Sequence, residues 1–179
     1  MLGNHSTNDF EKKEVIEKYI FDTNIFDDIV SEKLKVSDIV KYKKFKKVKI
    51  YVTHIQIDEI NKCNDEDKRA RLSMFMVKIR PILISTSSCA YDVSRYDESK
   101  FGDGIIFNKI KRGNIKHVED ALIGETAIKE GIILVTNDKR LKKTIMELGG
   151  NALFFDEFKE RLKETGDESG NGCVSSIIW

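Results

Sequence analysis

The chain has 179 residues, 34% of them charged, yet its formal net charge is only +1. That length suits one domain with its own apolar core, stable without disulfides or a structural metal. The charge balance excludes a uniformly basic nucleic-acid binder, and no apolar stretch is long enough to span a bilayer. The N-terminus is polar and mixed in sign, with no apolar signal core, which predicts an intracellular, cytoplasmic protein. Cys63, Cys89 and Cys173 are odd in number and far apart, so they form neither a disulfide framework nor a zinc pattern. His5, His54 and His117 have no metal-ligand spacing.

The first apolar run, residues 19–21, reads as a strand, and a helical pattern follows from Asn24 to about Lys44. A second strand is predicted over residues 48–52. Thr53-His54-Ile55-Gln56 then fits a capping box, opening one long helix from His54 to Arg80. Pro81, the only proline, stands where that helix must stop and a strand over residues 82–85 begins. Helix 118–130 closes at Gly131, strand 132–136 follows, and helix 139–148 closes at Gly149-Gly150. A strand over residues 152–155 and a helix over residues 157–163 complete the pattern. The strands are rich in Ile, Val and Phe without clean alternation, as strands buried on both faces are. Alternation of such strands with helices predicts an α/β domain with a mostly parallel sheet.

Residues 1–164 read as this domain, and residues 165–179 as a flexible Gly-rich tail with an apolar end. Val174-Ser175-Ser176-Ile177-Ile178-Trp179 is expected to dock, either on the parent domain or against another chain.

Four carboxylates carry the functional expectation. Asp22 follows one buried strand and Asp138 another, where an open α/β sheet places its ligands. Glu59 lies on the helix leaving the strand that ends near Thr53. Asp120 is placed by arithmetic. From it to Glu130 the helix travels about 15 Å at roughly 1.5 Å per residue, and strand 132–136 returns about as far. Asp138 should therefore land beside Asp120. Carboxylates that converge repel one another unless a cation lies between them, and their oxygens suit Mg²⁺ or Mn²⁺. Taken singly, Asp22 and Asp138 also fit helix caps, Asp120 a helix dipole and Glu59 a solvated face. Glu119 is expected to point elsewhere, since neighbours along a helix do not share a face.

Tyr19-Ile20-Phe21-Asp22-Thr23-Asn24 resembles the opening strand and DTN motif of PIN-domain ribonucleases. The segments Val52 to Ile60, Glu119 to Ala127 and Leu134 to Asp138 resemble the family's second, third and fourth acidic motifs, in family order, within a motif core spanning residues 19–155. The resemblance implies a three-layer α/β/α fold and a Mg²⁺- or Mn²⁺-dependent endoribonuclease. It also implies an RNA substrate, often a homodimer, and often a toxin with a protein antitoxin. By motif, Asp22, Glu59, Asp120 and Asp138 would be the metal-site and catalytic acids, with Thr23, Asn24, Thr136 and Asn137 as supporting polar groups. About twenty residues precede the first strand and a Gly-rich tail follows the last helix, and both depart from compact toxin members.

Two basic segments could meet RNA phosphates. In one, Lys43, Lys44 and Lys47 belong to a run of six lysines with Tyr42 and Phe45 interleaved. In the other, Lys111, Arg112 and Lys116 precede Asp120. Either run also suits a solvated helix end. The rival reading is a PIN-like module that binds RNA or protein without cutting, against which the intact acids argue. A phosphatase of the haloacid dehalogenase type would need a second Asp two residues after Asp22, where Asn24 stands.

Overall fold

The computed structural model describes residues 16–31, 35–44, 48–112 and 117–167, the side chains of 164–167 excepted. The N-terminal extension, Phe45, Lys46, Lys47, Lys116 and the apolar terminus with Trp179 lie outside the described residues.

Five strands form one all-parallel sheet: β1 (Glu17–Phe21), β2 (Val48–Val52), β3 (Ile82–Leu83), β4 (Ile133–Val135) and β5 (Ala152–Leu153), in the order β3-β2-β1-β4-β5. The central strand β1 alternates its side chains between two cores. Tyr19 and Phe21 enter one, and Ile20 enters the other. On the first face pack α1 (Ile25–Val30), α2 (Val36–Lys44), α4 (Glu66–Ile79) and α8 (Phe155–Asp167). On the second pack α5 (Ile105–Lys111), α6 (Val118–Lys129) and α7 (Lys139–Glu147). The helix α3 (His54–Lys62) sends Ile60 to the first core and Ile55 to the second. The result is the three-layer α/β/α arrangement, with Phe158 set edge-on to both Tyr19 and Phe21 at the centre of the first core.

The capping box forms: Gln56 Oε1 accepts the Thr53 N–H at 2.9 Å. Gln56 Nε2 also donates to the Phe21 carbonyl at 3.0 Å, tying the start of α3 to the end of β1. Gly131 and Gly149 take the positive φ that ends α6 and α7.

Four expectations require correction. The pattern from Asn24 to Lys44 is two helices, because α1 ends at Val30 and α2 starts at Val36. The pattern from His54 to Arg80 is also two. The chain leaves α3 at Cys63, which is extended, and Asp65 caps α4 by accepting the Lys68 N–H at 2.9 Å. That is ordinary Asp capping inside an apolar period that runs on across the break. Helix α5 was absent from the predicted pattern; Gly104 in a left-handed conformation starts it, and Phe107 and Ile110 are its only buried anchors. The last helix is also longer than predicted, at Phe155–Asp167, and so takes in the first residues of the expected linker.

Candidate functional site

Order β3-β2-β1-β4-β5 makes the chain leave β1 toward one side and return on the other. The carboxyl ends of β1 and β4 therefore border a topological switch point, where open α/β sheets bind ligands. Asp22 and the Thr136-Asn137-Asp138 segment occupy it, and the Asp22 N–H joins them by donating to the Val135 carbonyl at 2.9 Å.

Asp22 is only 2% exposed. Its Oδ2 accepts from Thr136 Oγ1 at 2.6 Å and from Asn24 Nδ2 at 2.7 Å. Asn24 Oδ1 in turn accepts the Asn137 N–H at 3.2 Å, and Asn137 Nδ2 donates to Asp28 at 2.6 Å. The supporting polar groups Asn24, Thr136 and Asn137 thus form one network around the buried acid. Thr23 acts differently: its hydroxyl favours the ionised form of Glu59. Asp22 caps no helix; Asn24 holds that position for α1. Asp138 does cap, accepting the N–H groups of Arg140 at 2.7 Å and Leu141 at 3.0 Å.

The acids act on one another through their charges. Burial pushes Asp22 up to about 7, and the charges of Asp120 and Glu59 add to the rise, while the Thr136 hydroxyl and the Thr23 backbone oppose it. Glu59 is raised by burial, then by Glu119 and Asp120, against the Thr23 hydroxyl and Lys62. Asp120 is raised by burial, then by Asp138 and Glu119, against His117. Of the charges that raise Asp120, that of Asp138 comes first. Among the described residues, no group of three or more His, Cys, Asp or Glu side chains is gathered closely enough to grip a metal ion. The set suits a hard cation by donor type and by charge. It is all carboxylate and mutually repelling, with His117 and Lys62 opposing the repulsion among the described residues.

Two further residues bear on the site. Glu119 lines an open cleft of about 470 Å³ together with Thr23, Asn24 and Glu59. Asp120 is not among the residues lining that cleft, in keeping with the divergence of neighbours along a helix, although the Glu119 charge still raises it. His117 Nδ1 lies 3.4 Å from Asp120 Oδ2. The His-x-x-Asp spacing at a helix start is the signal that could have found it.

Among the described basic residues, Lys43, Lys44, Lys111 and Arg112 are not brought to these acids. Helix α2 leads into the N-terminal end of β2, so Lys43 and Lys44 stand at the opposite edge of the sheet. Lys43 Nζ donates to the carbonyls of Ile79 and Arg80, each at 2.6 Å. Lys111 lies over the Phe107 ring, 5.5 Å from its centroid. Arg112 donates to Thr144 Oγ1 at 3.2 Å and faces Glu147, near the end of α7 remote from Asp138. Phe75 and Phe107 are core residues.

The architecture is the PIN-like α/β/α fold, as the four motifs implied. Similar solved structures include PAE2754 from Pyrobaculum aerophilum, at 14% identity and a TM-score of 0.52 over 84% of this chain and 99% of that one. Another is VapBC2 from Rickettsia felis bound to a DNA fragment from their promoter, at 19% identity and a TM-score of 0.52 over 76% of this chain and 98% of the other. At these identities the likeness is one of fold. No protein-family model matches the chain, and no curated protein matches it in sequence. No helix among the described residues is long and apolar enough to cross a membrane.

Proposed function

We propose that the protein is a divalent-metal-dependent endoribonuclease that hydrolyses RNA phosphodiesters at the carboxyl edge of β1 and β4. The observation that carries this reading is the mutual field of Asp22, Glu59, Asp120 and Asp138 around a buried carboxylate, at the switch point of a PIN-like sheet. These four acids would hold Mg²⁺ or Mn²⁺, which supplies an activated water and charge neutralisation at the phosphate when bound. Asp22 is the fixed member, its orientation set by Thr136 and Asn24. Glu59 lines the open cleft, with the Thr23 hydroxyl favouring its ionised form, and there it can orient the attacking water or accept its proton. His117 keeps Asp120 toward its ionised form.

A toxin role with a protein antitoxin, and a cytoplasmic homodimer, follow from the same reading. Support comes from the motif order and from the VapBC2 likeness in fold. The test is cleavage of a labelled RNA with Mn²⁺ and with EDTA. Asp22→Asn and Asp120→Asn should each lower the rate by at least a hundredfold, and EDTA should abolish it. Full activity in either variant would refute the assignment. Tight RNA binding without any cleavage would favour the silent binding module instead.

A further inference from the structure

Most of the large apolar side chains that the described residues leave exposed fall in two groups. Tyr91, Tyr96 and Phe101 belong to the 86–104 segment, which is tied to α6 through Ser87 on Thr126 and Lys100 on Glu130. Val40, Met74, Val77, Ile82 and Leu83 belong to α2 and α4, on the other face of the sheet, and to the edge strand β3. In this second group Val77 is 68% exposed and Met74 55%. They are three residues apart on α4 and so share a face of it. Both side chains of β3, the strand that α4 leads into, are exposed as well. An apolar helix face followed by an open sheet edge is a template for association unless something covers it.

Three helices of that face end at one edge of the sheet. Helix α2 leads into the start of β2 and α4 into the start of β3, and Lys43 Nζ joins their ends through the carbonyls of Ile79 and Arg80. Helix α8 packs against α2, and its Arg161 pairs with Glu17 at the start of β1. From there α8 runs on to Asp167, about 9 Å further at roughly 1.5 Å per residue. Residues 168–179 follow, with a reach of about 40 Å when extended. Packed helices stand about 8–10 Å apart, so α4 lies about 20 Å from α8, across α2. The sequence suits that path. Asp167 and Glu168 come first, and Lys41 and Lys44 are exposed on α2. A spacer with Gly170 and Gly172 follows, and then Val174, Ile177, Ile178 and Trp179.

We propose that residues 174–179 of this chain dock on the apolar surface of Val40, Met74 and Val77 and along the β3 edge, with Asp167 and Glu168 passing the lysines of α2. The inference is independent of the nuclease reading. The rival surface is the aromatic group of the 86–104 segment, which the same residues would have to reach around the sheet.

Trp179 is the only tryptophan, so its fluorescence reports on this contact in the full chain. Its emission should be blue-shifted against the urea-unfolded protein. Acrylamide should quench it at least threefold less than in that unfolded chain, and a hundredfold dilution should change neither result. Met74→Ser with Val77→Ser should abolish the protection, and Leu83→Thr should weaken it. All three side chains are at least half exposed, so the fold does not depend on them. Phe101→Ser should leave the protection unchanged. A second measurement needs no loss of packing. In a chain carrying Cys63→Ser and Cys89→Ser, a short bismaleimide should link Cys173 within one chain to the thiol of Lys78→Cys on α4. It should not link Cys173 to that of Lys109→Cys on α5. Water-like emission in the wild type, protection kept in both patch variants, protection lost in Phe101→Ser, or equal linkage to both added thiols would overturn the proposal. Protection lost on dilution would also overturn it, and would assign the surface to a second copy of the chain.

Discussion

Thr136 and Asp22, 114 positions apart in sequence, are joined by a hydrogen bond of 2.6 Å in which the hydroxyl donates to the buried carboxylate. The same hydroxyl oxygen accepts the Asp138 N–H at 3.0 Å, so one side chain couples the first acid to the last. Thr136→Val keeps the shape and removes the donor. Left with fewer donors, the carboxylate should destabilise the fold by about 1–3 kcal/mol at pH 8, the usual penalty for a buried polar group that loses its partner. Thr136→Ser should restore most of it. Urea denaturation of the three proteins checks this, and equal midpoints for wild type and Thr136→Val would show that the bond contributes nothing.

Asp22 also sets a pH dependence. Its folded-state pKa of about 7 lies above the ordinary value of 3.8, so the folded protein holds its proton more tightly than the unfolded chain. The stabilisation is complete below the unfolded value and is lost as pH rises toward 7, at about 1.4 kcal/mol for each tenfold difference in proton affinity. Metal-free protein should therefore melt at a lower temperature at pH 8 than at pH 5, and Asp22→Asn should flatten that decline. Mn²⁺ should raise the melting temperature at pH 8 by binding the folded state alone, and should do little for Asp22→Asn. Parallel pH profiles for wild type and Asp22→Asn would remove Asp22 as their source.

Lys43 provides a case in which stability and RNA binding separate. Its ammonium caps the carbonyls of Ile79 and Arg80 at the end of α4, whereas Lys44 is exposed. Lys43→Ala should cost about 1–2 kcal/mol, as charge-assisted hydrogen bonds in a partly exposed setting do, and Lys44→Ala almost nothing. Neither should change the salt dependence of RNA binding. A shallower slope in Lys43→Ala would return this lysine to the nucleic-acid surface.

The strands and three of the acids were legible because both follow from local pattern. A buried run such as residues 48–52 can hardly be anything else, and an Asp directly after such a run must sit at the sheet's edge. The same logic, carried one step further, would have set the lysine segment at the opposite edge, since a helix that leads into β2 ends where β2 begins. The helix breaks were not legible. Val36 and Leu72 keep the apolar period across each gap, and only tertiary packing decides where the chain turns. His117 was passed over because a lone histidine acquires meaning only from what it faces, here Asp120.

Glu125 gives the most exacting test of the packing. It lies on α6, fully buried, in the layer opposite α4 and α8. Its counter-charge is Lys129 one turn on, with Nζ 3.2 Å from Oε1, and its carboxylate oxygens meet no other donor among the described residues. Lys129 also reaches Asp103 at 3.1 Å, which draws the 86–104 segment down over α6. Gly102 permits that approach: a Cβ there would stand 2.2 Å from the Ser87 carbonyl oxygen and 2.6 Å from Ser88 Oγ. Lys129→Met leaves the buried carboxylate without its cation. Breaking a fully buried pair costs about 3–5 kcal/mol, and the partial exposure of Lys129 reduces the expectation to about 2–3. Glu125→Leu in the same chain should recover much of that loss, because an apolar side chain of similar bulk needs no partner. Gly102→Ala should destabilise by a separate route, through its clash with the Ser87 backbone. Chemical denaturation of the single and double variants decides the matter. If Lys129→Met and Lys129→Met/Glu125→Leu unfold at the same denaturant concentration, the pair is not what holds this segment to α6.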